Sequence, residues 1–226
     1  LVDGSSSMAY RGLPPRSPLR GADIAGEPPS KYDQACLLAA AIGFLTIKRQ
    51  DHVSFAVARE GLGAFHPAHS SHAHLRGVLA AMETNVPRGP TAARLGEALT
   101  VFAQRVMRKG LVIVFSDLME DMDDILRALS IFSHRGNDVI VFHVLHPHEL
   151  ELPPTEETLF VDSETGEEVR LDVAAARPLY EERLRNYLDA WTAALRQRGI
   201  DYTRVRTDEP FQKALEGYLC RRAAVR

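Results

Sequence analysis

Short apolar runs alternate with longer amphipathic patterns along residues 31–145, and this alternation limits the choice of fold. Residues 111–115 are all apolar, which is typical of a strand buried on both faces, and residues 139–145 predict another buried strand. Residues 51–58 alternate as a half-buried strand does, and a short third strand is expected near 62–65. We therefore predict an α/β fold: a doubly wound, mostly parallel central sheet with helices on both faces.

Helix boundaries carry their own signals. Ser30 followed by Asp33 is a capping-box pattern and predicts a helix start at that point. Thr91 is expected to open the helix that precedes the central strand. A long helix is predicted over 173–198, with Pro178 kinking or restarting it.

The chain of 226 residues is long enough for a single domain with a full hydrophobic core. We expect one domain over 1–226, truncated at its N-terminus because the first strand motif begins at once. Residues 10–30 are rich in Pro and Gly and predict a long loop. Residues 158–171 predict an inserted β-hairpin.

Composition restricts the function classes. The net charge is −3, from 27 basic and 30 acidic residues, so no basic field favours nucleic acid. Cys36 and Cys220 do not form a C-x-x-C pair, which disfavours a disulfide framework or a zinc–thiolate site. The apolar run 35–47 is too short to span a bilayer. We expect a cytoplasmic protein, with any membrane association supplied by segments outside this chain.

Polar residues follow two of the predicted strands. Asp3, Ser5 and Ser7 form a D-x-S-x-S pattern at the end of the first strand, Asp117 follows the central strand, and Thr91 lies between them. Mg²⁺ prefers oxygen ligands and usually keeps several waters. Two carboxylates and three hydroxyls would leave the ion electrophilic and able to accept a partner's Asp or Glu. The sequence predicts a site for Mg²⁺, with Mn²⁺ or Ca²⁺ as alternatives.

These five residues resemble the metal-ion-dependent adhesion site of von Willebrand factor A domains. Further segments resemble the bacterial domain-of-unknown-function family number fifty-eight over nearly the whole chain: Ser116-Asp117-Leu118, His146-Pro147, Glu164-Thr165-Gly166 and Thr207-Asp208-Glu209-Pro210. The resemblance implies a von Willebrand factor A or Rossmann-like fold. It also implies a role as adaptor or chaperone-like partner of a MoxR-type AAA+ ATPase or its client.

Other polar groups have simpler interpretations. The acidic residues within 120–124 are expected in the first turn of a helix, where the positive end of the helix dipole stabilises them. The histidines form two groups: His66, His69, His72 and His74, and then His146 and His148. Their spacing fits no usual zinc or nickel pattern, and the first group is expected in a loop and a helix start, so we interpret both groups as polar surface.

Three functions remain open. We favour a non-enzymatic, metal-dependent protein-binding module with no catalytic residues. A metal-dependent hydrolase or phosphotransferase is the second; however, Ser5 stands where a second acid is needed, and no phosphate-binding G-x-x-x-x-G-K-[S/T] loop occurs. The third is a structural subunit with a vestigial site, whose contacts come from the hairpin and the long helix.

Overall fold

The computed structural model describes residues 1–12, 28–92, 94–153 and 157–224. The strands are β1 (Val2–Asp3), β2 (Val53–Ala58), β3 (Leu62–His69), β4 (Leu111–Ser116), β5 (Asp138–Leu145), β6 (Glu157–Val161), β7 (Glu168–Asp172) and β8 (Asp201–Arg206). The helices are α1 (Lys31–Lys48), α2 (His72–Thr84), α3 (Leu95–Arg105), α4 (Met122–His134), α5 (Pro147–Leu150), α6 (Val173–Gln197) and α7 (Phe211–Ala224), and a 3-10 helix covers Ser6–Ala9.

Six strands form the central sheet in the order β3-β2-β1-β4-β5-β8. Only β3 runs antiparallel to its neighbour among the described strands of this sheet. The mostly parallel α/β architecture is therefore confirmed. The strand order reverses at β1, because β2 and β3 lie on one side of it and the later strands on the other. In such a sheet a crevice opens where the strands end on the two sides of the reversal, here at β1 and β4.

Each face of the sheet has its own hydrophobic core. Helices α3, α4 and α6 cover one face, where Val112 and Val114 are buried with Trp191. Helices α1, α2 and α7 cover the opposite face, to which Phe115 and Phe142 contribute a stacked ring pair at 5.1 Å between centroids. Successive residues of β4 thus enter opposite cores, which explains why residues 111–115 are apolar without interruption.

The predicted capping box is confirmed at the start of α1. The backbone N–H of Asp33 donates to Ser30 Oγ at 3.0 Å, and the Ser30 N–H donates to Asp33 Oδ2 at 2.9 Å. Asp121 caps α4, where its Oδ1 accepts from the N–H groups of Asp123 and Asp124. The acidic run thus lies at a helix start, as its sequence interpretation requires.

The predicted start of the third helix was wrong. Thr91 lies in the preceding loop, and α3 begins only at Leu95 after Arg94, which has a φ of 49°. The Leu95 N–H donates to Glu120 Oε1 at 2.5 Å, so a carboxylate from the loop between β4 and α4 caps this helix. The sequence around Thr91 could not predict this cap, because the capping residue is 25 positions further along the chain.

The third strand was predicted too short, because β3 has eight residues and carries His66 and His69, which were expected in a loop. Pro67 is tolerated because β3 forms an edge of the sheet. Most of the loop predicted over 10–30 lies outside the described residues. No described helix is both long and apolar enough to cross a membrane.

Helix α6 runs without interruption across Pro178. Two side chains hold this turn in place. The Arg177 guanidinium donates to the carbonyls of Leu152 at 2.8 Å and Pro153 at 3.2 Å, and the Tyr180 hydroxyl donates to that of Glu149 at 2.6 Å. These tertiary contacts anchor the turn that contains the proline, and the sequence pattern alone did not reveal them.

We expect Trp191→Ala to lower the free energy of unfolding by about 3 to 5 kcal/mol, because Trp191 is fully buried and joins α6 to the first core. Leu179→Ala in the same helix is the matched control, since its exposed side chain should change stability by no more than about 0.5 kcal/mol. Urea denaturation of both variants measures this difference. Equal effects would show that α6 is not part of the core.

Candidate metal centre

The predicted site lies where the strand order reverses. Val2 of β1 pairs with Phe115 of β4, so the next residues, Asp3 and Ser116, come side by side at the strand ends. The Ser116 hydroxyl donates to Asp3 Oδ2 at 2.5 Å, and the Ser5 N–H donates to Asp3 Oδ1 at 2.9 Å. Both carboxylate oxygens of Asp3 are thus held in fixed positions, with 3% of the residue exposed.

The two serines of the motif are adjacent in space. Ser5 precedes the 3-10 helix and Ser7 lies within it, and their hydroxyl oxygens are 3.0 Å apart. Ser5 is buried and Ser7 is partly exposed. The tight turn therefore brings Asp3, Ser5 and Ser7 to one place, as the sequence pattern predicts.

Ser6, which was not predicted as a site residue, holds the backbone of Thr91 at the site. The Thr91 N–H donates to Ser6 Oγ at 2.5 Å, and the Ser6 N–H donates to the Thr91 carbonyl at 2.9 Å. The Ser6 hydroxyl also lies 2.7 Å from the carbonyl of Gly89. Ser6 thus ties the 89–91 segment to the opening motif.

Asp117 follows β4 and is 1% exposed. Its Oδ2 accepts from Lys31 Nζ at 2.6 Å, and the same ammonium pairs with Glu149 Oε1. Its Oδ1 is buried without a hydrogen-bond partner in the described part of the chain. After the larger effects of burial and Lys31, the Ser7 side chain also favours the charged form of Asp117, although Oδ1 has no partner with hydrogen-bond geometry among the described residues.

The buried charges shift one another's pKa values. Burial, and then the negative charge of Asp117, raise the pKa of Asp3 to about 7. Burial alone would raise the pKa of Asp117 too, but the Lys31 ammonium outweighs it and lowers that pKa. Burial disfavours the Lys31 charge, yet Asp117 and Glu149 together raise its pKa, so the ammonium stays protonated.

Side chains from β5 and α6 hold the main chain that follows β4. His143 Nε2 lies 2.9 Å from the carbonyl of Asp117, and because a carbonyl only accepts, this nitrogen carries the proton. His143 Nδ1 then accepts from the Tyr202 hydroxyl at 2.7 Å, and burial lowers the pKa of His143 to about 4. The Tyr187 hydroxyl donates to the carbonyl of Leu118, whose φ is 56°. These contacts fix the backbone that presents Asp117.

The second histidine group lies beside the site and not on open surface. His146 is 8% exposed, its ring meets Tyr10 at 4.9 Å between centroids, and His148 lies 4.8 Å from it. Burial, and then His148, lower the pKa of His146 to about 4. The interpretation of His146 as surface was therefore wrong, because the fold brings residues 10–12 against it.

Several contributors were missed from sequence: Lys31, Ser6, Ser116, His143 and Glu149. Lys31 alone had a local signal. A lysine in the first turn of a helix opposes the helix dipole, so such a residue needs a nearby anion to explain it. The others carry no local signal, because the fold brings them from four separate elements.

The residues fit a hard cation better than a softer metal. The described residues contain no group of three or more His, Cys, Asp and Glu side chains arranged to hold a metal. The predicted site has instead two carboxylates, neighbouring hydroxyls and the unpartnered Oδ1 of Asp117. An oxygen-only donor set of this kind is suited to Mg²⁺.

The family model described as protein of unknown function DUF58 matches residues 20–188. Uncharacterized proteins of Mycobacterium bovis and Mycobacterium tuberculosis are 27% identical over 138 residues, which is 60% of this chain and 43% of theirs. The chain thus matches less than half the length of these relatives.

Two solved structures share the fold. One is the conserved hypothetical protein BatB of Bacteroides thetaiotaomicron, with a TM-score of 0.59, 16% identity, and 99% of this chain and 96% of that one covered. The other is an aerotolerance-related membrane protein of Bacteroides fragilis, with a TM-score of 0.60, 16% identity, and coverage of 96% and 92%.

The raised pKa of Asp3 predicts a pH dependence of stability in the metal-free protein. Folded Asp3 binds its proton more tightly than the unfolded residue does, so its stabilising contribution is full below about pH 4 and is lost as the pH rises through about 7. The difference in unfolding free energy between wild type and Asp3→Asn should therefore shift against wild type by up to about 4 kcal/mol across this window. Denaturation with chelator present measures it, and exposed Asp51→Asn is the control. A pH-independent difference would contradict the assignment.

Proposed function

This chain belongs to the DUF58 family, and from that premise we propose that it is a metal-dependent protein-binding module of the von Willebrand factor A type. The observation that carries the proposal is the buried, unpartnered Oδ1 of Asp117 beside the Asp3, Ser5 and Ser7 cluster. A buried carboxylate oxygen without a partner is costly, and a bound cation would satisfy it.

Asp3, Ser5, Ser7, Thr91 and Asp117 would hold the ion, directly or through water. When bound, Mg²⁺ would supply a positive centre for a carboxylate of a partner protein. The chain's own residues prepare that position: Ser116 orients Asp3, Ser6 places the Thr91 segment, and His143 fixes the backbone of Asp117. The partner we propose is a MoxR-type AAA+ ATPase or its client, for which this domain serves as adaptor.

The site offers little support for hydrolysis. Ser5 occupies the position two residues after Asp3 where a phosphate-transferring site needs a second acid, and its hydroxyl lies 3.0 Å from that of Ser7. The pKa of His143 is lowered by burial, and both of its ring nitrogens are engaged by Asp117 and Tyr202. A binding role thus suits these side chains better than acid–base work.

A second candidate rests on the β6–β7 hairpin. Residues 157–172 hold six acidic residues and one arginine, a net charge of −5, whereas the whole chain carries −3. Leu159, Val161 and Val169 are exposed on this hairpin at 44%, 55% and 56%. An acidic protrusion with exposed apolar side chains suits a basic partner surface with apolar patches. In this case the hairpin would bind the partner and the metal site would be vestigial.

Calorimetric titration of Mg²⁺ and Mn²⁺ into metal-stripped protein tests the first proposal. We expect heat of binding in wild type and its loss in Asp3→Ala, because the variant removes one of two carboxylates and the acceptor for Ser5 and Ser116. Asp51→Ala, at an exposed position, should bind as wild type does. A co-expressed MoxR-type ATPase should then co-purify with Mg²⁺ and dissociate with chelator. Capture that survives both chelator and Asp3→Ala would refute metal bridging.

Changes to the hairpin separate the two candidates. Replacing residues 158–171 by a short Gly-Ser turn should leave ATPase capture intact if the metal bridges the partner. The triple change of Leu159, Val161 and Val169 to serine keeps the hairpin backbone and removes only its apolar surface. Loss of capture in both variants, with unchanged Mg²⁺ binding, would favour the hairpin as the contact surface.

A further inference from the structure

A lysine ammonium is buried inside the site that we assign to a metal cation. The side chain of Lys31 is 1% exposed, and its Nζ contacts Asp117 Oδ2 at 2.6 Å. Its position is fixed at the backbone as well, because the Lys31 N–H donates to the carbonyl of Tyr10 at 3.3 Å and the Ser30 capping box sets the start of α1. The positive charge is therefore a built part of the site.

The second anion on Lys31 is equally fixed. Glu149 Oε1 accepts from the ammonium, and Glu149 Oε2 accepts from the His146 N–H at 2.7 Å. The carbonyl of Glu149 accepts from the Tyr180 hydroxyl at 2.6 Å. Lys31 is thus held between two anchored carboxylates, and a buried charge that is paired at both sides stays in place.

We propose that Lys31 sets the divalent-ion affinity of this site, by occupying one oxygen of Asp117 so that the site is stable without metal and binds Mg²⁺ weakly. This inference rests on the proposed function, since it concerns the same site. It adds that Mg²⁺ is retained mainly when a partner contributes a further carboxylate, so that metal and partner bind together.

The reason is electrostatic. An ion on Asp117 Oδ1 would share one carboxylate with the Lys31 ammonium, and both are positive and buried. Two positive charges held by the same carboxylate repel each other several times more strongly in a protein interior than in water. Lys31 also neutralises part of the negative charge of Asp117 and Glu149 that would otherwise attract the ion. A partner carboxylate adds negative charge and offsets both effects.

Lys31→Met and Lys31→Gln remove the ammonium while keeping similar length. We expect both variants to bind Mg²⁺ and Mn²⁺ at least tenfold more tightly than wild type in calorimetric titration, without any partner. Their metal-free melting temperatures should fall, and added Mg²⁺ should raise them more than it raises that of wild type. Lys213→Met is the matched control, because Lys213 pairs with Glu209 at 2.7 Å on the surface and should change neither quantity.

The outcomes separate this inference from the proposed function. A gain that disappears in the double variant Lys31→Gln/Asp117→Asn would place the ion on Asp117 and support the inference. Equal metal affinity in wild type and both Lys31 variants would overturn the inference and leave the proposed function standing. Absence of binding in all of them would overturn both. A Lys31 variant that folds only with Mg²⁺ present supports the inference, and one that stays unfolded with Mg²⁺ contradicts it.

Discussion

The pairing of β1 with β4 is the contact on which the site depends. β1 has only two residues, yet it lies at the reversal of the strand order, with the later strands on one side and β2 and β3 on the other. Its register against β4 brings Asp3 beside Ser116 and places Asp117 one residue beyond. A shift of one residue would turn Asp3 toward the opposite face of the sheet, because side chains alternate along a strand.

Charge balance is the second constraint at this position. Asp3 and Asp117 are buried close to each other, and the Lys31 ammonium pairs Asp117 with the partly exposed Glu149. Burial, and then the negative charge of Asp117, raise the pKa of Asp3, while Asp117 keeps its charge through Lys31. The buried carboxylates favour added positive charge, and Lys31 supplies part of it, so the site tolerates the absence of a metal.

Several local features could be predicted because they depend on neighbours in the sequence. The capping box at Ser30 and the continuous apolar run of β4 each follow from spacing within a few residues, and each was confirmed. The gathering of Asp3, Ser5 and Ser7 in one turn is equally local. The start of α3 was misplaced at Thr91 because its cap, Glu120, comes from a distant loop.

The sequence by itself determined the α/β class, the uninterrupted apolar run that buries β4 on both faces, and the polar residues at the ends of β1 and β4. Hydrophobic periodicity and turn chemistry depend on residues a few positions apart, so these features can be predicted without knowledge of the tertiary structure. Only the tertiary structure decided that Ser6 holds Thr91, that His143 supports Asp117, and that Lys31 reaches across to Asp117 and Glu149. Each of these contacts joins residues at least 26 positions apart in the chain, and such separations become contacts only when the sheet is assembled.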